Sequence, residues 1–258
     1  MKLRVLGCSG GVGNDLRTTS LLLDDDILID AGSGVGELTL DEMRKIRHVF
    51  LTHSHLDHFS FLPLLVDSIF PSIRDPLVVH GQPVTLKALQ THVFNWTIWP
   101  DFAKLPTEDK PVMQYREISP GDVFELEGGL ESRKLEMIEV NHIVPGVGYR
   151  VEGETGAFAF SGDTTTNDNF WNVLNGHDRL DLLLVEAAFA NADIDLSKRS
   201  GHYTADLLAE DLKKLKHQPD IYITHNKPGH ESVIMDECRK AITDRKITAA
   251  GTGLIFTL

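Results

Sequence analysis

Three histidines and one aspartate stand within six positions of the segment His53-Ser54-His55-Leu56-Asp57-His58. Imidazole nitrogens and carboxylate oxygens are the donors that divalent ions of intermediate softness accept, so four of them in one short stretch outline a metal site. In an extended segment, side chains two apart project to the same side, so His53 and His55 can converge on one ion while Asp57 and His58 reach a second. A helical His-Glu-x-x-His arrangement is not present. The only cysteines, Cys8 and Cys238, have no metal-ligand spacing. Two ions need further donors, and three candidates stand at the ends of short apolar runs: His142 after residues 135–140, Asp163 in Phe160-Ser161-Gly162-Asp163, and His225 after residues 221–224.

The elements that must position these residues can be read from hydrophobic period. Residues 47–52 read as an apolar strand, and residues 59–70 have helical spacing through Leu62, Leu65, Val66 and Ile69. The cluster is therefore expected in a strand-to-helix loop. Residues 3–6 read as a strand, and 20–24 with 27–30 as a hairpin turning on Asp24, Asp25 and Asp26. Further strands are expected at 77–80, 134–140, 147–151, 157–161, 181–186 and 220–224, several separated by helical stretches, which implies sheets covered by helices. A helix is expected over 203–215: Leu207, Leu208, Leu212 and Leu215 share a face, Lys213, Lys214 and Lys216 come late, and Thr204 is the expected N-cap. The glycine-rich stretch at 7–13 reads as a turn, since no Lys-Ser or Lys-Thr follows it. An aromatic insert at about 92–115 includes Phe94, Trp96, Trp99 and Phe102 and is punctuated by Pro100, Pro106 and Pro111. It reads as an excursion from the sheet, either a lid over a pocket or a packed loop or subunit contact.

Composition bounds the partners. With 258 residues and 41% hydrophobic content, one α/β domain spanning 1–258 is expected. A formal charge of −13 works against a long nucleic acid, whose binders cluster Lys and Arg, but leaves room for a small anion held by metal ions. The first residues carry Lys2 and Arg4 and then meet the glycine turn, an apolar stretch too short for a signal peptide. Val5-Leu6-Gly7-Cys8 matches a lipoprotein cleavage box only superficially, because no long apolar segment precedes it. Cytoplasmic residence without a membrane span is the expectation.

Asp30, the cluster at His53 to His58, His142, Asp163 and His225, in this order, resemble the motifs of the metallo-β-lactamase superfamily over nearly the whole chain. The resemblance implies an α/β fold, a four-layer αββα sandwich, with metals at one sheet edge. It implies His53, His55 and His142 on one ion, Asp57, His58 and His225 on the other, and Asp163 bridging both. Several segments are similar to class II cyclic-nucleotide phosphodiesterases: the aromatic insert, residues 184–191 and 200–205, and Tyr222-Ile-Thr-His-Asn-Lys-Pro228. Ser200-Gly-His-Tyr-Thr204 also resembles the Gly-His-Ser-Thr element of tRNA 3′-end endonucleases, whose histidine assists the leaving group. That role is carried to His202, with Glu186 orienting it.

The reaction so implied is hydrolysis of a small phosphodiester, a 3′,5′-cyclic nucleotide, to the 5′-monophosphate by a hydroxide held between two divalent ions. Asp57 would orient that hydroxide, His202 would protonate the departing oxygen, and Lys227 is placed in sequence to contact phosphate. The ligand set suits zinc and accommodates manganese or iron. A homodimer is compatible with the sequence. Rival readings are an acyl hydrolase of thioesters, lactones or β-lactams on the same centre, and a tRNA 3′-end endonuclease, which should carry a basic arm. A metal-binding sensor without turnover should have lost a ligand, and all seven candidates are present.

Overall fold

The structure, a computed structural model, describes residues 1–126 and 132–258. In chain order the strands are β1 (Lys2–Gly7), β2 (Ser20–Leu23), β3 (Ile27–Ile29), β4 (His48–Phe50), β5 (Leu77–Gly81), the short pair β6 (Pro106–Thr107) and β7 (Lys110–Pro111), β8 (Met113–Glu117), β9 (Val123–Leu126), β10 (Arg133–Val140), β11 (Gly146–Glu152), β12 (Ala157–Phe160), β13 (Leu182–Glu186), β14 (Asp220–Thr224), β15 (Ile247–Ala249) and β16 (Ile255–Thr257). The α-helices are α1 (Leu40–Met43), α2 (Leu56–Phe59), α3 (Leu62–Ile69), α4 (Pro83–His92), α5 (Asn169–Asn175), α6 (Ile194–Ser200), α7 (Ala205–Leu212) and α8 (Glu231–Ala241). One sheet has the order β16-β1-β2-β3-β4-β5-β8, the other β15-β14-β13-β12-β11-β10-β9.

The side-chain alternation of the strands sets the layering, because successive residues face opposite sides of a sheet. Leu21, Leu23, Ile27, Ile29 and Phe50 of the first sheet meet Leu135, Met137, Tyr149, Phe158 and Leu184 of the second in a central core. Their neighbours Leu22, Leu28 and Val49 turn outward and pack beneath Leu62, Leu65, Leu86 and Leu89 of α3 and α4. On the far side, Ile138, Ala159, Leu183 and Val185 pack against Trp171, Leu208 and Ile234 of α5, α7 and α8. Helix, sheet, sheet, helix is the resulting order of layers, as expected.

The expected strands form, within a residue or two at each end, and the β2–β3 hairpin turns on the three aspartates. Three details differ. The stretch 59–70 is not one helix: α2 is a single turn that already contains Asp57 and His58, and α3 follows after a break at Ser60 and Phe61. Thr204 does occupy the N-cap of α7, but its hydroxyl is buried and makes no cap hydrogen bond. The aromatic insert is anchored into the helix-side core through Phe94, Phe102, Val112 and Met113, and its last residues form β8, an edge strand of the first sheet. Trp96 and Ile98 are left 59% and 64% exposed.

Arg133, at the start of β10, reaches across to the β2–β3 turn. Its guanidinium donates to Asp24 Oδ2 at 3.0 Å and to both carboxylate oxygens of Asp26 at 2.6 and 3.0 Å. The Arg133 and Asp24 side chains are almost wholly removed from water, so deleting one partner strands a buried charge. Arg133→Met is expected to lower unfolding free energy by about 3 kcal/mol, read by urea denaturation at pH 7.5. An unchanged midpoint would contradict it.

His80 in β5 stacks on Phe50 with ring centroids 4.1 Å apart and is fully buried. Burial, then neighbouring His48 and Arg116, push its pKa down to about 3. Between pH 6.5 and about 3 the unfolded chain therefore binds a proton that the folded chain excludes, so this contribution is complete above pH 6.5 and is lost on acidification. The expected loss is ~1.4 kcal/mol per pH unit below 6.5. His80→Phe, which keeps an aromatic ring against Phe50, should show a correspondingly shallower acid limb in chemical denaturation between pH 6.5 and 5.5.

Candidate metal centre

The neighbouring strand pairs β3–β4 and β4–β5, and β12–β13 and β13–β14, are parallel, and their carboxyl ends open at one edge of the sandwich, where α/β sheets place their ligands. Asp30 follows β3, the loop Thr52 to His55 follows β4, Asp163 follows β12, Glu186 ends β13 and His225 follows β14. His142 comes just after β10, and His202 from the turn between α6 and α7. Two backbone conformations mark the edge as unusual: Asp30 and His225 are left-handed, with φ of 60° and 61°. Such non-glycine residues persist where their surroundings hold them. The His225 N–H donates to the Cys8 carbonyl at 2.6 Å. Gly10 lies so close to His225 that a Cβ there would collide with the His225 carbonyl. The glycine turn thus packs directly on the His225 backbone, which is why position 10 must be glycine.

The sequence-selected donors converge. His53, His55, His142 and Asp163 form one group, and Asp57, His58, Asp163 and His225 another, with the offered ligand atoms of each group within 4.8 Å of one another. Asp163 belongs to both. His53 Nε2 and His58 Nε2 stand 3.7 and 3.3 Å from Asp163 Oδ2, and His225 Nδ1 stands 3.1 Å from Asp163 Oδ1. These three ring nitrogens are buried and have no hydrogen-bond partner among the described residues. Buried polar atoms are rarely left so, and three of them aimed at one carboxylate fit a metal site.

For His53 and His58 the opposite ring nitrogen is already engaged, which fixes the orientation of the free one, and His142 is held at both nitrogens, its Nε2 3.1 Å from His55 Nδ1. His58 Nδ1 lies 2.6 Å from Asp30 Oδ2, His53 Nδ1 3.0 Å from Thr52 Oγ1, and His142 Nδ1 donates to the Gly201 carbonyl at 2.8 Å. Asp30 also accepts from the Thr52 backbone N–H at 2.8 Å and from its hydroxyl at 2.8 and 3.1 Å. Such outer partners set ring angle and tautomer of metal-binding histidines.

Electrostatics point the same way. Burial, with His58 as nearest cation, keeps His53 well below the ordinary imidazole value, and burial keeps His225 there too. Burial also lowers His55 and His142. These rings are neutral at pH 7 and carry a lone pair for a ligand. Burial opposes ionisation of Asp163, yet His225 and His58 outweigh it and hold the carboxyl well below its usual range. Burial likewise opposes charge on His58, but Asp163 and Asp30 hold its pKa well above the usual value. The buried carboxylates thus favour positive charge at this spot, which a divalent ion would supply.

Beside the donors, His202 Nδ1 meets Glu186 Oε1 at 2.7 Å, and its ring stacks on His225 with centroids 5.2 Å apart. Glu186 is fully buried and also accepts from the backbone N–H groups of Thr164, Tyr203 and Ala188 at 2.8, 3.2 and 3.2 Å. It ties the loop after β12 to the His202 turn. Burial lowers the His202 pKa, but the Glu186 carboxylate overcomes this and raises it. Lys227 donates to the Gly10 carbonyl at 3.0 Å and lies 3.5 Å from His225 Nε2.

A family model described as "Beta-lactamase superfamily domain" matches residues 25–225. The chain belongs to the β-lactamase superfamily. Its four layers are the metallo-β-lactamase fold, and it is a metal-dependent hydrolase. A probable 3′,5′-cyclic-nucleotide phosphodiesterase of Yersinia pestis is 26% identical over 307 aligned residues, covering 98% of this chain and 85% of its own. A ribonuclease Z of Methanopyrus kandleri is 30% identical over 157 residues, 58% of this chain and half (50%) of that protein. The crystal structure of unliganded yeast PDE1 superposes with a TM-score of 0.83 at 17% identity, over 100% of this chain and 99% of that one, a likeness of fold alone.

Among the residues of this superfamily member that sequence reasoning singled out, the seven donors and the Glu186–His202 pair are all brought to one edge. Thr52, the Gly201 carbonyl and the Thr164 N–H were not foreseen as parts of the site: a hydroxyl beside a metal motif is too common to signal anything, and backbone groups carry no signal. Asp30 was visible only as a motif position, and its hydrogen bond to His58 gives the reason for it. Asp30→Asn, which keeps the shape and loses the charge, is expected to weaken metal affinity about 10- to 100-fold in chelator competition. No helix among the described residues is long and apolar enough to cross a membrane.

Proposed function

We propose that this metal-dependent hydrolase cleaves a small phosphodiester, a 3′,5′-cyclic nucleotide, to the nucleoside 5′-monophosphate, and that residues 1–258 act as one domain. The observation that carries the reading is the Glu186–His202 pair standing beside the donor cluster, 2.7 Å between Oε1 and Nδ1. An alkoxide is a poor leaving group and needs a positioned acid. The Yersinia pestis relative supports the same substrate class by its description.

In this reading His53, His55 and His142 would hold one divalent ion and Asp57, His58 and His225 a second, with Asp163 shared. Bound there, such ions would acidify water and offset the charge of the phosphoryl oxygens; the donor set suits zinc and also accepts manganese or iron. Asp57, whose side chain is 30% exposed, accepts a hydrogen bond from the attacking water and aims its oxygen at phosphorus. As the new P–O bond forms, the bond from phosphorus to the ribose 3′-oxygen breaks, and His202 Nε2 hands its proton to that oxygen. Glu186 holds the Nδ1–H and favours the charged ring. Lys227 is near enough to pair with a phosphoryl oxygen.

The test is hydrolysis of cyclic AMP, cyclic GMP and bis(p-nitrophenyl) phosphate by metal-analysed protein, with and without chelator, beside thioester, lactone, β-lactam and precursor-tRNA substrates. Chelator-sensitive release of 5′-monophosphates supports the proposal. Turnover of acyl substrates or precursor tRNA with inert small diesters would overturn it, and metal binding without any turnover would favour a sensor.

A further inference from the structure

Next to the donor cluster lies a cavity of about 500 Å³, walled by Leu56 and Phe59 of α2, Pro63 and Leu64 of α3, and Ile98 and Trp99 of the insert. Leu56 is the residue between His55 and Asp57, so one wall of the cavity is the donor segment itself. Ser60 and His92 also line it, and no Asp, Glu, Lys or Arg does among the described residues. Leu56, Ile98 and Leu64 remain 66%, 64% and 42% exposed, an apolar surface that calls for an apolar occupant.

The far wall is built in advance. The Trp96 N–H donates to the Trp99 carbonyl and the Trp99 N–H to the Val93 carbonyl, both at 3.0 Å. Asn95 Oδ1 accepts from the N–H groups of Thr97 and Ile98 at 3.0 and 2.8 Å. Trp96 takes a left-handed φ of 65° to close this turn. Ile98 and Trp99 are therefore presented by a self-bonded loop whose base, Phe94 and Phe102, is buried in the core. The volume is of the order that takes a small organic group.

We infer that this cavity seats an apolar or aromatic ester group of the phosphodiester, so that the enzyme selects substrates by the apolar character of the group attached to phosphorus. The inference rests on the phosphodiesterase reading above. In a cyclic nucleotide both phosphate esters are to the ribose, so the part seated here is the nucleobase face that the sugar carries; a plain hydrocarbon ester shares this apolar chemistry, whereas a charged group does not. Occupancy by a second copy of the chain is the competing use of the same surface.

The experiment measures kcat/KM for p-nitrophenyl phosphodiesters whose second ester is methyl, propyl, hexyl or phenyl, with the metal-loaded full chain. Selectivity should rise about two- to fourfold per added methylene until the cavity is filled, the range set by partial to full burial of each group. In Ile98→Asn and, on the opposite wall, Leu64→Asn, that slope should fall by at least half. Both positions are substantially exposed, and thermal unfolding confirms that each variant is folded. A flat series in the wild type, with chelator-sensitive turnover of every ester, would overturn the cavity while leaving the phosphodiesterase reading intact. Absence of turnover for all the esters and for the cyclic nucleotides would overturn both. Unchanged slopes together with loss of self-association in sedimentation would assign the surface to a subunit contact and overturn the inference.

Discussion

Replacing Asp163 by alanine is expected to remove bound metal and hydrolytic activity together, with kcat/KM falling by more than about 100-fold, the upper end of what losing a mere outer partner costs. Among the described residues, Asp163 is the one carboxylate that the His53, His58 and His225 nitrogens all face, at 3.7, 3.3 and 3.1 Å. Without it both donor groups lose a shared anion, and neutral imidazoles supply lone pairs but no charge to compensate the ions. Metal per chain, measured by elemental analysis after dialysis, distinguishes this from a change in chemistry alone. Retention of two equivalents of metal with full turnover would exclude a shared ligand. Asp163 is buried, so folding must be checked in the same preparation. In the apo state His53, His142 and His225 are neutral, and His58, which loses one carboxylate partner, keeps Asp30 at 2.6 Å, so the variant is expected to stay folded.

The second large effect concerns the leaving group. His202→Ala should lower turnover of cyclic AMP by about 10²- to 10⁴-fold, the range for a positioned acid, and should barely affect bis(p-nitrophenyl) phosphate, whose nitrophenolate departs without a proton. His202 also groups with Asp163 and Glu186 as a third candidate donor set, but its Nδ1 is taken by Glu186 Oε1 at 2.7 Å, so metal content is expected to stay unchanged, and a loss of metal in this variant would make His202 a ligand. Equal loss on both substrates would mean that His202 supports the structure of the edge and protonates nothing. Glu186→Gln offers a check on positioning. With the amide oxygen kept toward His202, an NH2 group replaces Oε2 and cannot accept from the Ala188 and Tyr203 N–H groups, and the ring loses its anionic partner. The same pattern of selective loss on the alkoxide substrate is expected, with smaller amplitude.

How much of this could be read beforehand depends on the range over which each feature is encoded. The cluster at residues 53–58 was legible at once because its donors are neighbours in the chain. The strands were legible as short apolar runs between turn residues, apolar throughout because successive side chains, as at Leu21, Leu22 and Leu23, divide between two cores. The helix over residues 59–70 was misjudged at its start for the same local reason: apolar period locates α3, but α2 is one turn long and half of it is the donors Asp57 and His58, so no amphipathic signal marks it. The edge strands β8 and β16 were not anticipated, since half-exposed strands lack a continuous apolar face. Thr204 looked like a cap by type and stands at the cap by position, yet its hydroxyl makes no cap bond.

Residue types and local spacing by themselves determined the donor chemistry, the alternation of strands and helices, and the order of motifs along the chain. They could do so because ligand affinity and hydrophobic period are properties of single side chains and their near neighbours. Only the tertiary structure decided that His142, Asp163, Glu186, His202 and His225 arrive at one edge, that Asp30, Thr52 and the Gly201 carbonyl turn the ring nitrogens toward Asp163, and that an apolar cavity opens beside Leu56. Each of these depends on groups far apart in sequence being held within a few ångströms. That distance is set by how two sheets pack across a shared core, and no local pattern encodes it.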